Sequence, residues 1–342
     1  DAAPAGAAPG ESPGGCWAWL TARGVTPGET AQRDAVAYAD AEGLLLLDLV
    51  PADLPATAAR DLLRHADPRA QRASRLVAVS EPQRASIIAR HGIDPDRVET
   101  IVNGVTPNPF IDDPSVAARK RAELGIDGDD VVVGTIAVLS EQKGITHLLQ
   151  AGRDLIARIP RLKILIVGGG PLEAELRGQA NELGLSSHVI FTGWRKDSLE
   201  LMTTLDVFVM SSLWEAMPMV LLEAMAARRP IVVTSVGDNR TVVDGGRCGL
   251  VVPPGDPDAI VAAVAELAAA PERAAALASA AAERYRTRFS VERMCQNYQA
   301  TFESLVGATD HSDGRMRKFV GAAGTDAPPS GSVAERVQES HH

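Results

Sequence analysis

The 342-residue sequence predicts an α/β fold, a parallel and doubly wound sheet with helices on its faces. The first reason is rhythm. From Val131 onward, short apolar runs of β type alternate with helical stretches at the spacing of βα units. The second is a pair of loops at the ends of two such runs: a Gly-Gly-Gly-Pro turn after Val167 and an acid-bearing loop after Ser212, both at the carboxyl edge where such sheets bind ligands. Composition is the third, since 45% hydrophobic and 23% charged side chains can fill a sizeable core with room for two domains.

In chain order, residues 1–16 are rich in Ala, Pro and Gly and read as a disordered leader lacking a signal pattern. Residues 43–54 suggest a buried strand and turn, 75–80 a strand, 81–91 a helix, and 98–103 a strand ending at Asn103-Gly104. The charged stretch 113–130 reads as a linker with one short helix. Strands are then expected at 131–138, 163–167, 189–192, 207–212, 230–235 and 249–253, separated by helices at 145–158, 172–183, 220–229 and 257–270. A terminal helix comes next within 289–307, and the polar, Gly- and Pro-containing residues 308–342 read as a disordered tail.

The densest chemistry lies in LWEAMPMVLLEAMAARRPIVVTS, where Glu215 and Glu223 straddle a strand-to-helix turn. Glu215 falls in the loop and Glu223 in the first turns of a helix that Pro218 can open with its fixed φ. A carboxylate accepts two hydrogen bonds from a vicinal diol, so such a pair suits a polyhydroxy ligand, while amides at the helix start suit phosphates. A solvated loop acid and an exposed helix acid are the plain alternative.

This run resembles the signature of the family 4 glycosyltransferases, retaining enzymes of the GT-B fold. The resemblance continues through Pro230, Val236-Gly237 and Cys248-Gly249-Leu250-Val251-Val252-Pro253, and covers roughly residues 80–307. It implies two Rossmann-like domains: an amino-terminal, acceptor-side one over 17–112 that looks incomplete, and a nucleotide-sugar-binding one over 131–288, with 289–307 as a crossover helix. It also implies transfer of a sugar from a UDP- or GDP-sugar to a glycan or glycolipid acceptor, without a metal cofactor.

Residue roles come from the same resemblance. Glu215 would bind the donor sugar's hydroxyls, the backbone of Ala216, Met217, Pro218 and Met219 would meet the sugar and diphosphate, and Glu223 would hold the ribose. Lys143, in a Lys-Gly pair directly after a strand, would neutralise the diphosphate; alone it reads as a surface lysine. Gly168, Gly169 and Gly170 would belong to the donor cleft, although a tight turn explains them equally. Trp194 and Arg195 fall in the region that lines the base pocket in relatives, with ordinary packing the alternative for Trp194. Two departures stand out: Val138 replaces the arginine usual five positions before the lysine, and Leu47 replaces a histidine near the cleft. They leave open a non-catalytic or truncated nucleotide-sugar-binding protein.

Other features narrow the field. Net charge −10 and a pI near 5.3 argue against nucleic-acid binding. Between Arg60 and Arg97, eight arginines face five acids, which suggests a solvated helix face or a weak peripheral contact with anionic lipid. Cys16, Cys248 and Cys295 are odd in number and widely spaced, pointing to a reducing compartment and a cytoplasmic protein. Apolar stretches such as 44–47 fall far short of the roughly 20 residues needed to span a bilayer. Asp127-Gly128-Asp129 imitates a metal-binding motif but sits in a charged linker, and Asn103 is explained by turn chemistry.

Overall fold

Two sheets carry the fold in the computed structural model, which describes residues 36–39, 44–48, 75–91 and 93–309. The expected leader, most of the expected tail, Cys16, and Arg60, Arg64, Arg69 and Arg72 lie outside the described residues. The chain divides into two compact units, 1–298 and 299–342.

The first sheet has the order β1-β2-β3-β4. Strand β1 (Val36–Ala39) pairs antiparallel with β2 (Leu44–Asp48), and β3 (Arg75–Ala78) continues in parallel. Helix α1 (Glu81–His91) then leads to β4 (Val98–Thr100), parallel to β3. The strand expected over 75–80 stops early because a helix cap takes its end. Ser80 Oγ accepts the Gln83 amide at 3.3 Å, and Gln83 Oε1 accepts the Val79 amide at 2.9 Å. In the arginine-rich segment, Arg84 donates to Glu81 and to the carbonyls of Pro95 and Val98, and Arg75 donates to the Asp96 carbonyl. These guanidiniums serve their own domain.

Helix α2 (Pro114–Glu123), capped by the Asp113 carboxylate, is the short helix expected in the linker. The second sheet begins with β5 (Val131–Ile136), then α3 (Ile145–Arg158), β6 (Leu162–Val167), α4 (Glu173–Glu182) and β7 (Val189–Gly193). It continues with α5 (Ser198–Met202), β8 (Val207–Met210), α6 (Met219–Ala226), β9 (Ile231–Thr234), α7 (Asn239–Val242) and β10 (Leu250–Val252). Helices α8 (Pro257–Ala269) and α9 (Pro271–Arg284) precede α10 (Val291–Thr309). All six strands are parallel, in the order β10-β9-β8-β5-β6-β7.

Both faces of this sheet are covered, which is why its strands read as near-continuous apolar runs. Along β6, Leu165 and Val167 join one core with Phe208, Leu221 and Met225, while Ile164 and Ile166 join the other with Leu148, Leu149 and Val261. Helix α3 buries Ile145, Leu148, Leu149, Gly152 and Leu155, the spacing of one helical stripe. Helix α9 is an addition to the expected helices. It buries only Ala274, Ala278 and Ala281, so its stripe is marked by size rather than hydropathy.

Several boundaries differ from expectation for local reasons. The strand expected over 131–138 ends at Ile136, because the Ala137 and Leu139 amides turn to the carbonyls of Val167 and Gly169. The one expected over 207–212 ends at Met210, and the helix expected over 220–229 runs Met219–Ala226, with Arg228 at φ +53° beyond it. Helix α10 reaches Thr309, so the first two residues assigned to the tail are helical. Ahead of it, Ser290 bridges to Val105, Tyr285 donates to the Val105 carbonyl at 3.0 Å, and Gly104 lies so close that a Cβ would sit 2.5 Å from the Ser290 oxygen. The chain after the second sheet is thereby fastened to the end of the first.

Candidate functional site

Strand order reverses between β5 and β8: the chain runs outward through β6 and β7, then returns to the other side of β5. In open parallel sheets the crevice beyond such a switch point is where ligands bind. Three loops meet there. The segment after β5 bonds to the glycine turn after β6 through Leu139 N to Gly169 O (3.0 Å), and to the loop after β8 through Leu213 N to Gln142 O (2.7 Å). Glycine is needed in that turn because chains nearly touch. Gly168 has φ +132°, and a Cβ there would lie 1.9 Å from the Ala137 oxygen.

A cavity of about 230 Å³ opens at this crevice, lined by residues 136–138, Val167, Gly168, Trp194, Arg195, Ser198, Met219, Val220 and Glu223. That is below the ~300 Å³ at which small-molecule sites usually begin, so it can enclose only part of a drug-sized ligand. Its walls are largely apolar, with Glu223, Arg195 and Ser198 as the polar residues among them. Glu223 is half-buried, its carboxylate has no hydrogen-bond or ion-pair partner among the described residues, and burial raises that carboxyl above the usual range. Trp194 is 81% exposed and Val138 48%, so Trp194 is not a packing residue.

Glu215 has the opposite environment. It is buried, and its Oε1 accepts from Lys143 Nζ at 2.6 Å and from Ser212 Oγ at 2.7 Å. Among the described residues no donor reaches Oε2. The two acids expected to share one site therefore flank one turn without sharing one cavity: Glu223 is on the wall, while Glu215 and Lys143 stand off it.

Of the other expected donor residues, Gly168, Trp194, Arg195 and Met219 line the cavity, and Gly169 lies beside Trp194. Gly170 is accounted for by contact with Leu139, whose backbone would be 2.5 Å from an added Cβ. Met217 was expected to act through its backbone alone. Its side chain is core, 4% exposed, which leaves the backbone as the part of this residue within reach of a ligand. Pro218 caps α6, and the amides of Ala216, Met217, Met219 and Val220 have no hydrogen-bond partner among the described residues.

Arg195 is not a free cation. Its guanidinium meets Asp197 at 2.8 and 2.6 Å and Glu123 at 2.6 Å, while Lys120 joins the same cluster through Asp197 at 2.5 Å and Glu123 at 3.0 Å. The Arg195 guanidinium beside it, chiefly, holds the Asp197 carboxyl well below the usual range. Asn103 also corrects the sequence reading, which gave it turn chemistry alone: its Nδ2 donates to the Met217 carbonyl at 3.3 Å, tying the first sheet's end to the loop that carries Glu215. Sequence reasoning missed Ser212, whose only signal was a serine pair at a strand end. Asp127, from the metal-like motif, pairs with Arg161.

A doubly wound sheet with its crevice at the switch point, joined to a second sheet, defines the GT-B class of α/β protein, and comparison with solved structures agrees. HepE of Anabaena, in complex with UDP, superposes with TM-score 0.68 at 27% identity, over 74% of this chain and 70% of that one. The same protein in complex with UDP-glucose gives TM-score 0.66 at 28% identity, over 72% and 68%. Residues 116–284 match the model of the glycosyl transferases group 1.

Among curated relatives, the GDP-mannose-dependent alpha-(1-6)-phosphatidylinositol monomannoside mannosyltransferase of Mycolicibacterium smegmatis is 38% identical over 190 residues, 53% of this chain and 49% of that protein. The putative glycosyltransferase EpsF of Bacillus subtilis is 33% identical over 162 residues, 47% and 42%. The chain spans about half the length of the curated relatives it matches.

Proposed function

We propose that the chain is a retaining glycosyltransferase that moves a sugar from a nucleoside-diphosphate donor to a hydroxyl of a glycan or glycolipid. The observation that carries this reading is Glu223, an unpartnered carboxylate in a largely apolar cavity at the switch point, beside Gly168 and the free amides at the start of α6. A ribose diol supplies the two donors that Glu223 lacks, the base lies along Val138 and Trp194, and the diphosphate meets the amides and Lys143. Glu215 Oε2 takes a hydroxyl of the sugar. HepE in complex with UDP-glucose supports the donor class, and the GDP-mannose dependence of the mannosyltransferase keeps both bases in view.

In the transfer step the acceptor oxygen forms its bond to the anomeric carbon as the bond to the diphosphate oxygen breaks. The acceptor's proton passes to the departing diphosphate, whose growing charge Lys143 and the amides stabilise. No metal ion is needed in this scheme, because those groups supply the positive charge. No helix of the described residues is long and apolar enough to cross a membrane. A cytoplasmic setting, with the acceptor at the inner membrane face, remains part of the proposal.

The test is calorimetric binding of UDP, GDP and their sugars, then donor hydrolysis and transfer in wild type and Glu223→Ala. Binding and turnover lost together in the variant support the assignment. Equal turnover in both defeats it, and binding without any turnover favours a non-catalytic nucleotide-sugar-binding protein.

A further inference from the structure

We infer that Lys143 and Glu215 form an exchange pair: the incoming diphosphate takes Lys143 from the carboxylate, and Ser212 then holds the released Glu215 for the sugar. The inference rests on the donor reading above and adds an order of events to it.

The two partners differ in freedom. Glu215 is fixed from several sides: its side chain is 4% exposed, the Asp238 amide bonds the next carbonyl at 3.0 Å, and a Cβ on Gly237 would lie 2.1 Å from the Glu215 oxygen. Ser212 is fully buried, and its own carbonyl accepts from Thr234 Oγ1 at 2.7 Å. Lys143 has a pinned backbone, its amide on the Ser140 carbonyl at 3.1 Å and its carbonyl on Ser211 Oγ at 3.0 Å, yet its side chain is 20% exposed. Only the lysine's four-carbon stem can turn.

Both donors also converge on Oε1. When Lys143 leaves, Ser212 remains as an orienting bond, so the carboxylate keeps its place while losing its charge partner. A carboxylate this buried needs replacement donors. A sugar's hydroxyls provide them. A nucleoside diphosphate without sugar does not, so it must break the pair and leave Glu215 uncompensated. Ser212 is accordingly a positioning residue, acting on the sugar through Glu215.

The experiment measures Kd for sugar-free UDP and GDP by calorimetry in wild type, Glu215→Gln, Lys143→Met and the double variant. Glutamine keeps the shape and removes the charge that holds the lysine, so Glu215→Gln should bind the sugar-free nucleotide more tightly, by roughly tenfold for one charge-assisted bond no longer broken. Lys143→Met should weaken binding, and Glu215→Gln added to it should give no gain. Equal or weaker binding by Glu215→Gln, or a gain that persists without Lys143, overturns the exchange. Ser212→Ala should lower kcat several-fold with the sugar-free Kd within about twofold; an unchanged kcat removes Ser212 from the scheme. Wild-type protein that binds neither nucleotide sinks the donor reading itself, and the exchange with it.

Discussion

Glu215 and Glu223 flank the same turn, yet the fold treats them oppositely. Glu215 is enclosed and matched by a lysine and a serine within the protein. Glu223 is left half-buried and unmatched on a cavity wall, where burial works against its charge. A carboxylate matched internally supports the native state, whereas one desolvated without a partner weakens it. The difference teaches where to look for ligand contacts: at the group whose hydrogen-bonding capacity the protein itself leaves unused.

The widest separation should appear in stability. Glu215→Ala leaves Lys143 and the buried Ser212 hydroxyl without their acceptor, and should cost about 3 kcal/mol, at the low end for a broken buried pair because Lys143 still reaches water. Glu223→Ala removes an acid with nothing to lose, and should unfold at the same denaturant concentration as wild type or a higher one. Chemical denaturation of the two variants decides this. Comparable losses in both would erase the contrast.

Ligand binding should invert that order. If Glu223 accepts a diol, its removal forfeits charge-assisted bonds of about 1.5–3 kcal/mol, so donor affinity falls roughly 10- to 150-fold. Titration of Glu223→Ala with the nucleotide that wild type binds measures it. A shift under twofold would show that the cavity's acid is not used.

The pH dependence of stability sharpens the same point. The Glu223 carboxyl is raised in the folded protein, so the folded state holds this proton more tightly than the unfolded chain does. The associated stability is fully present below the unfolded carboxylate value of about 4.3, and is lost as pH rises through the folded one. Wild type should therefore lose stability relative to Glu223→Gln over that window, with the gap level above it. Donor binding, which favours the ionised acid, should strengthen as pH rises across the same range. A gap independent of pH would mean that Glu223 titrates as an ordinary surface acid.

How much of this was legible in the sequence depends on which forces act locally. Strands β6, β8 and β9 were readable because both faces are buried and the residues are uniformly apolar. Helix α3 was readable because its stripe alternates sharply with polar positions. Helix α9 was not, since alanines at its buried positions carry little hydropathy contrast. At the site, Glu215, Glu223 and Gly168 were legible through a motif and a turn. The pairing of Lys143 with Glu215, at a separation of 72 residues, was not, and neither was the clamp of Glu123 and Asp197 on Arg195. Such contacts depend on which loops the sheet order brings together, and the switch between β5 and β8 appears only once strand pairing is known.

Asn103 gives the smallest and most discriminating test of the enclosed side. Its amide reaches the Met217 carbonyl at 3.3 Å, a long bond between neutral groups, so Asn103→Ala should cost only about 1 kcal/mol of stability. Its position matters more than its strength: Met217 lies between the matched acid and the start of α6, and Asn103 belongs to the chain leaving the first sheet. Loosening this tie leaves the wall around Glu223 intact while relaxing the loop behind Glu215. Sugar-free nucleotide should therefore bind Asn103→Ala as it binds wild type, and kcat for the nucleotide sugar should fall a few-fold. If nucleotide affinity falls instead and kcat holds, the bond serves the cavity side, and the division of the turn into an enclosed and an open half is wrong.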